Sequence, residues 1–368
     1  MSDGTGIEWT DATWNPVTGC TKVSAGCDNC YAESLAERFR GTPGHYFEHG
    51  FDLQLRPEKL DQPLRWTWPR RIFVNSMSDL FHDSVPDDYI ARVFAVMSYA
   101  YRHTFQLLTK RHARMRSLLS SPAFVELFDR EFCKIPDWND RYPNHDFARP
   151  EHVYHLADGP LSNVWVGVST ENQQWADIRI PALLDTPAAV RFISAEPLLG
   201  RIDLTPWIGC PHDSLSGVDA TPLGSPVKRW RCDQCTASVI DGTVTNVGLH
   251  WVIAGGESGP KARPMHPDWA RSLRDQCQAA GVAFLFKQRG EWTWSEPGQF
   301  RMPASPLTNR VGVMHPAGMV AMTKGNPFNP FERGHPNWAT RIERAGKKRA
   351  GRELDGRTWD QYPQAVNA

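Results

Sequence analysis

A charge of one sign is the first thing this chain lacks. Its 41 Lys and Arg balance 41 Asp and Glu over 368 residues, for a formal net charge of zero. No global field draws a polyanion, so any nucleic-acid contact has to come from local patches. No apolar run approaches the roughly 20 residues of a membrane-spanning helix. Met1 to Gly6 lack the basic and apolar pattern of a secretory signal, so a reducing cytoplasm is the expected compartment. There the eight cysteines read as metal ligands or small core residues rather than disulfides. Internal repeats and low-complexity tracts are also missing, which excludes a solenoid.

What is present suits an ordinary globular protein. Hydrophobic residues make up 40% and charged residues 22%, and the length allows one large domain or two ordinary ones. Fifteen tryptophans are unusually many; they suit a core, a cleft lining or stacking on a planar substrate. Short β-branched and aromatic runs recur at 71–74, 105–108, 164–168, 190–193, 251–254 and 282–286. They are too short for helices and read as strands buried on both faces of a parallel sheet. A further strand near Ile7–Thr10 brings the total to about seven.

Helical patterns separate several of these runs. Tyr31, Leu35 and Phe39 recur every four residues before Gly41, a C-terminal cap. Ile90, Val93, Phe94, Met97 and Tyr101 form a second stripe, with Ser84 and Asp87 as its capping box. Trp269, Leu273 and Cys277 form a third, closed by Gly281. The alternation predicts an α/β fold, a partial or complete parallel (β/α) barrel of TIM-barrel type, with right-handed crossovers. The core is expected over residues 1–297, with a ligand loop at 19–31. Residues 121–161 look irregular, a lid or excursion. Residues 205–249 read as an insertion between the fifth and sixth strands, and 298–368 as a C-terminal extension packed on the core.

Cys20, Cys27 and Cys30 carry the sharpest signal. They follow the loop Trp14-Asn15-Pro16 and run straight into a helical pattern. Three thiolates can each hold one iron of a cubic four-iron cluster and leave the fourth iron open. A structural zinc site usually wants four ligands, so the alternative is zinc completed by a distant His, Asp or Cys. Cys133 and Cys277 have no partner at ligand spacing and read as buried small hydrophobes.

The second constellation lies just after the apolar runs, where parallel α/β folds bind ligands. Asn75, Ser76, Ser78 and Asp79 follow one strand; Thr109, Lys110 and Arg111 the next; then Ser169 to Asn172, Glu196, Gly256 to Ser258, and Lys287 with Gln288. Helix capping accounts for part of this, since Ser, Thr, Asp and Asn start helices. Lys110, Glu196, Glu257 and Lys287 fit capping least.

The third is in the insertion. Cys210 and His212 lie about twenty residues ahead of Cys232 and Cys235, the paired spacing of a zinc ribbon or knuckle. Metal binding would supply folding energy to a segment without an apolar core. Lys228 to Arg231 beside it mix basic and aromatic residues, as do Arg65 to Arg71; Lys110 to Arg116 and Lys347 to Arg352 are basic runs. Each suits phosphates or an ordinary solvated face.

The run Ile7-Glu8-Trp9-Thr10-Asp11-Ala12-Thr13-Trp14-Asn15-Pro16-Val17-Thr18-Gly19-Cys20, followed by Gly26-Cys27-Asp28-Asn29-Cys30-Tyr31, resembles the phage-associated three-Cys-motif family. So do Val74 to His82, Leu108 to Arg111, Gly167 to Asn172, Ser194 to Leu198, Gly255 to Gly259, Phe286 to Gln288, and Gly346 to Trp359. The likeness covers nearly the whole chain apart from 205–249. That family is similar to radical S-adenosylmethionine enzymes. The resemblance implies a partial (β/α) barrel with a 4Fe-4S cluster on Cys20, Cys27 and Cys30. S-adenosylmethionine would chelate the free iron and yield, on reduction, a radical that abstracts hydrogen from the substrate. The usual spacing is Cys-x3-Cys-x2-Cys, whereas the first gap here holds six residues. The aromatic that usually precedes the last cysteine is replaced by Asn29, with Tyr31 just after.

On that footing Ser76, Ser169, Asn172 and Glu196 are expected to bind the cofactor, whose ammonium, carboxylate and ribose need complementary polar groups. Asp79, Glu257 and Lys287 are expected to face the substrate as catalytic residues. A nucleic acid or nucleotide is the expected substrate, with base modification or repair as the outcome. A reductant for the cluster and a dedicated partner protein are the expected partners. Two other functions stand beside this one: a zinc-stabilised nucleic-acid-binding protein without catalysis, and a metal-dependent hydrolase using Asp79, Glu171, Glu196 and Glu257.

Overall fold

The computed structural model describes residues 4–135, 155–208, 248–294 and 340–363, and the strands Arg229–Arg231, Ser238–Ile240, Thr243–Thr245, Val311–Met314 and Val320–Thr323. The apolar runs form the strands of one sheet. They are β1 (Ala12–Trp14), β2 (Arg71–Val74), β3 (Thr104–Thr109), β4 (Val164–Ser169), β5 (Val190–Ala195), β6 (Trp251–Gly255) and β7 (Ala283–Gln288). The sheet is seven-stranded and parallel, and its strands lie side by side in chain order. A doubly wound sheet reverses its order at a switch point; this one never does. One-way winding is that of a partial (β/α) barrel, with β1 and β7 as its edges. Every residue of β4 and β6 is buried, which is why these runs are continuously apolar rather than alternating.

The first strand starts later than Ile7–Thr10. The Thr10 hydroxyl donates to Ala12 O and Arg71 O, and Asp11 N donates to Arg71 O. These bonds dock the segment, and the ladder to β2 begins only at Ala12.

The chain divides into two compact units. The first takes in residues 1–169 and 178–192. Its helices are α1 (Tyr31–Ala36), α2 (Asp87–Tyr99), α3 (His112–Leu119) and α4 (Pro122–Phe132). Helix α2 buries Ile90, Val93, Phe94 and Met97, as its stripe predicts. Tyr101 lies beyond its end, and Pro86, not Ser84, occupies the cap position. Asp87 and Asp88 complement the first turn's dipole instead. Helix α4 falls in the region expected to be irregular. Phe124, Phe128 and Phe132 recur at helical spacing and are buried, with Pro122 in the first turn. Cys133, just past this helix, is exposed and not a core residue.

The second unit takes in residues 170–177 and 193–363. Helix α5 (Gln173–Leu184) starts in it. Helix α6 (Pro267–Ala279) buries Trp269, Leu273 and Cys277, and Gly281 follows at φ +67°. Trp292–Trp294, Thr340–Arg344, Val311–Met314 and Val320–Thr323 pair antiparallel in that order as a separate four-stranded sheet. The tail returns to β7, where Phe286 N donates to Trp359 O and Gln361 N to Phe284 O. Between β5 and β6, the three short strands Arg229–Arg231, Ser238–Ile240 and Thr243–Thr245 pair antiparallel. Cys210, His212, Cys232 and Cys235 lie outside the described residues.

Candidate functional site

In the first unit the three thiols sit on the loop that leaves the carboxyl end of β1. Gly19 fixes where that loop turns. Its φ is +85°, and a Cβ there would meet Asp52 O at 2.2 Å, so only glycine fits. Gly19 N donates to Met77 O (3.0 Å) and Cys20 N to Phe51 O (3.3 Å). Cys27 closes a short 3₁₀ turn, with its N–H on Ser24 O (2.9 Å). Cys30 caps α1, its carbonyl accepting from Ser34 N (3.0 Å) and Ser34 Oγ (2.9 Å). It packs against Ala32, Ala36 and Met77. All three thiols are free and half-buried. Burial, reinforced by the Asp79 charge and offset in part by Arg111, pushes the Cys20 thiol up to about 11.

The loops after β2 and β3 brace this one. Asp79 is buried; Oδ1 accepts from Thr109 Oγ1 (2.7 Å) and Phe81 N (3.0 Å), and Oδ2 from Lys110 N (3.0 Å). Arg111 donates to Thr21 Oγ1 (2.5 Å) and pairs with Asp83 (3.2 Å), and Thr21 Oγ1 lies 3.0 Å from His82 Nε2. Burial and the Arg111 charge hold His82 below the usual histidine range. Ser76 Oγ donates to Asn15 Oδ1 (3.2 Å), and the Tyr31 hydroxyl donates to Ser76 O (2.5 Å). Lys110 Nζ donates to Ser169 Oγ (3.3 Å) at the end of β4. Most of the basic run 110–116 is paired with acids: Arg111 with Asp83, Arg114 with Asp87 and Arg116 with Asp185.

In the second unit Glu196 follows β5. Lys287 Nζ lies 2.8 and 3.0 Å from its two carboxylate oxygens, and Gln288 Nε2 lies 3.2 Å from Oε1. Two consecutive residues reach one carboxylate because the β6–β7 register slips. Ala254 pairs with Phe286 but Gly255 pairs with Gln288, so Lys287 is an extra, bulged residue. Glu257 is buried and wrapped by Arg263, whose N, Nε and NH2 donate to it at 2.7, 3.0 and 2.7 Å. Asn172 Oδ1 accepts from Trp175 N (3.2 Å) at the start of α5, which is a capping bond.

Among the described residues, no three His, Cys, Asp or Glu side chains gather as they would around a single metal ion. A cubic cluster makes a different demand, because each cysteine sulfur binds its own iron. Three free thiols on one loop suit that donor set.

The chain matches, over residues 4–363, a family described as protein of unknown function (DUF5131). It belongs to that family. No curated protein and no solved structure matches it.

Several of the bracing residues carry no signal in the sequence. Arg263 sits six positions after its partner Glu257 in a segment without periodicity, and the Asp79–Thr109 bond spans 30 positions. His82 and Arg111 stand inside the quoted motifs, but their link through Thr21 is a tertiary contact.

Proposed function

We propose that this chain is a radical S-adenosylmethionine enzyme that modifies or repairs a nucleic-acid base or nucleotide. The observation that carries the reading is the position of the three free thiols. They share one loop at the carboxyl end of the first strand in a sequentially wound parallel sheet, the edge at which such sheets bind ligands. Cys20, Cys27 and Cys30 would each hold one iron of a 4Fe-4S cluster. When bound, the cluster supplies one-electron reduction of S-adenosylmethionine.

The chain's own groups do the rest. Each thiol has to lose its proton on metal binding, and at Cys20 burial opposes that loss while the Arg111 charge favours it. Arg111 therefore acts as the electrostatic support of the loop. Asp79 holds the loops after β2 and β3 together and so positions Lys110, which presents the Ser169 hydroxyl. Ser76 and Ser169 are the first unit's polar groups for the cofactor. In the second unit the Glu196–Lys287 pair supplies a carboxylate and a cation, and Glu257 serves through Arg263. Zinc at Cys210, His212, Cys232 and Cys235 belongs to the same reading, as do a reductant, a dedicated partner protein and a cytoplasmic location. Trp68, 76% exposed among Arg65, Arg70 and Arg71, supports a nucleic-acid substrate, since an exposed indole stacks on bases.

Anaerobic purification with metal analysis and an absorption spectrum tests the reading. The expected protein is brown, holds about four irons and cleaves S-adenosylmethionine when reduced. Replacing any one of the three cysteines by Ala is expected to abolish iron binding; a variant with wild-type iron content refutes the assignment. Cys232→Ser is expected to lower zinc and leave iron intact.

A further inference from the structure

Gln288 is 4% exposed, and among the described residues its Oε1 has no hydrogen-bond partner. A buried amide oxygen left unpaired is costly, and it lies beside a second unfilled capacity. An ammonium has three N–H donors, and the two contacts of Lys287 both run to Glu196, at 2.8 and 3.0 Å. Among the described residues one Lys287 donor is therefore left over, and the ammonium and the Gln288 amide meet at the same Glu196 carboxylate. The bulge that places Lys287 outside the ladder is the device by which a strand re-aims a side chain, and bulges concentrate next to active sites. The backbone packs closely beside the pair: a Cβ at Gly256 would strike Arg289 O at 2.0 Å, and one at Gly255 would lie in ordinary contact with the Glu196 carboxyl group at 3.4 Å.

A donor cation beside a neutral acceptor is the complement of a ligand edge with an acceptor beside an N–H. Nucleobases carry such an edge. Two kinds exist: a lactam, with a carbonyl beside a ring N–H, and an amidine, with a ring nitrogen beside an amine. The ammonium is a compact, strongly hydrated charge. A base carbonyl concentrates more negative charge than a ring nitrogen and compensates better for the loss of that hydration. We propose that Lys287 and Gln288, held by Glu196, form a recognition site for the lactam edge of a nucleobase: uracil, thymine or guanine. Lys287 donates to the base carbonyl, Gln288 Oε1 accepts from the ring N–H, and Glu196 fixes the cation. The inference rests on the nucleic-acid reading for its choice of ligand class.

The test is binding of free nucleosides to the full chain, followed by calorimetry or saturation-transfer NMR with uridine, thymidine, guanosine, adenosine and cytidine. The lactam nucleosides are expected to bind at least about tenfold tighter than adenosine and cytidine, the factor one hydrogen bond supplies. Gln288→Met keeps the side-chain volume, removes the acceptor and is expected to erase that preference. The paired variant Glu196→Gln with Lys287→Met removes the cation without leaving a buried charge unpaired, and is expected to do the same. Circular dichroism melts confirm that both variants fold. Equal binding of all five nucleosides, binding of none, or a preference that survives Gln288→Met overturns the proposal. Iron content and S-adenosylmethionine cleavage report separately: a Gln288→Met protein that keeps both locates a failure in base recognition, while wild-type protein without iron locates it in the radical reading.

Discussion

Asp79 and Glu196 are both carboxylates just past the end of a parallel strand, and the two units use them differently. Among the described residues, Asp79 takes its bonds from a hydroxyl and two backbone N–H groups, with no cation on it. It is a bracket that ties the loop after β2 to the loop after β3. Glu196 takes its bonds from two side chains on one bulged strand end, and those side chains keep unfilled capacity of their own. The lesson is that position at a strand end does not make a carboxylate chemical. What its donors have left over decides that.

Asp79→Ala is the largest expected effect. It strands three donors, two of them backbone, and unpaired buried donors each cost on the order of 1–3 kcal/mol, so a loss of about 4 kcal/mol is expected in urea unfolding. Glu196→Gln keeps the volume and breaks only a partly exposed pair, with an expected loss of about 1 kcal/mol. If the two losses are equal, the distinction between bracket and ligand site collapses.

His103 sharpens the same contrast through pH. It is buried, 3.1 Å from Pro63 O, and burial lowers its pKa to about 4. The unfolded chain takes up a proton near pH 6.5 and the folded chain only near pH 4. The unfolded state therefore binds more protons between those values, and stability falls as pH drops through that window. The loss amounts to about 3 kcal/mol at its full extent. His103→Gln is expected to flatten the stability–pH profile between pH 4 and 6.5, read by denaturant titration at several pH values; an unchanged slope shows that another group carries it.

The sequence reveals the strands well because burial on both faces leaves little choice of residue, as in β4 and β6. It reveals the thiol loop because the chemistry of the donors is local. It does not reveal β1, a three-residue edge strand whose predecessors Thr10 and Asp11 dock by side chain and backbone bonds to Arg71. Nor does it reveal the Lys287 bulge, a register slip against β6 that no periodicity in β7 announces. The Ser84 box fails for a related reason. Ser84 N is engaged by His82 Nδ1 at 3.1 Å, so a turn stands where the cap would be, and Pro86 starts α2.

Helix α1 gives the smallest effect and the clearest test of how a stripe misleads. Tyr31, Leu35 and Phe39 have the spacing of a buried face, yet Tyr31 is 55% and Leu35 38% exposed, and the α-helix ends at Ala36. The face that packs is the one with small residues, Ala32 and Ala36, against Met77, Phe47, Phe51 and Cys30. Small side chains let the cysteine loop lie close to the loop after β2, which large ones would prevent. Ala36→Leu is therefore expected to destabilise the protein by about 1–3 kcal/mol through overpacking, and to weaken iron binding because Cys30 shares that contact. Leu35→Ser, one position away on the apparent apolar stripe, is expected to change stability by no more than about 0.5 kcal/mol and to leave iron content unchanged. Thermal melts and iron analysis of the two variants decide which face of α1 the fold uses, and a larger loss from Leu35→Ser would return the aromatic stripe to the core.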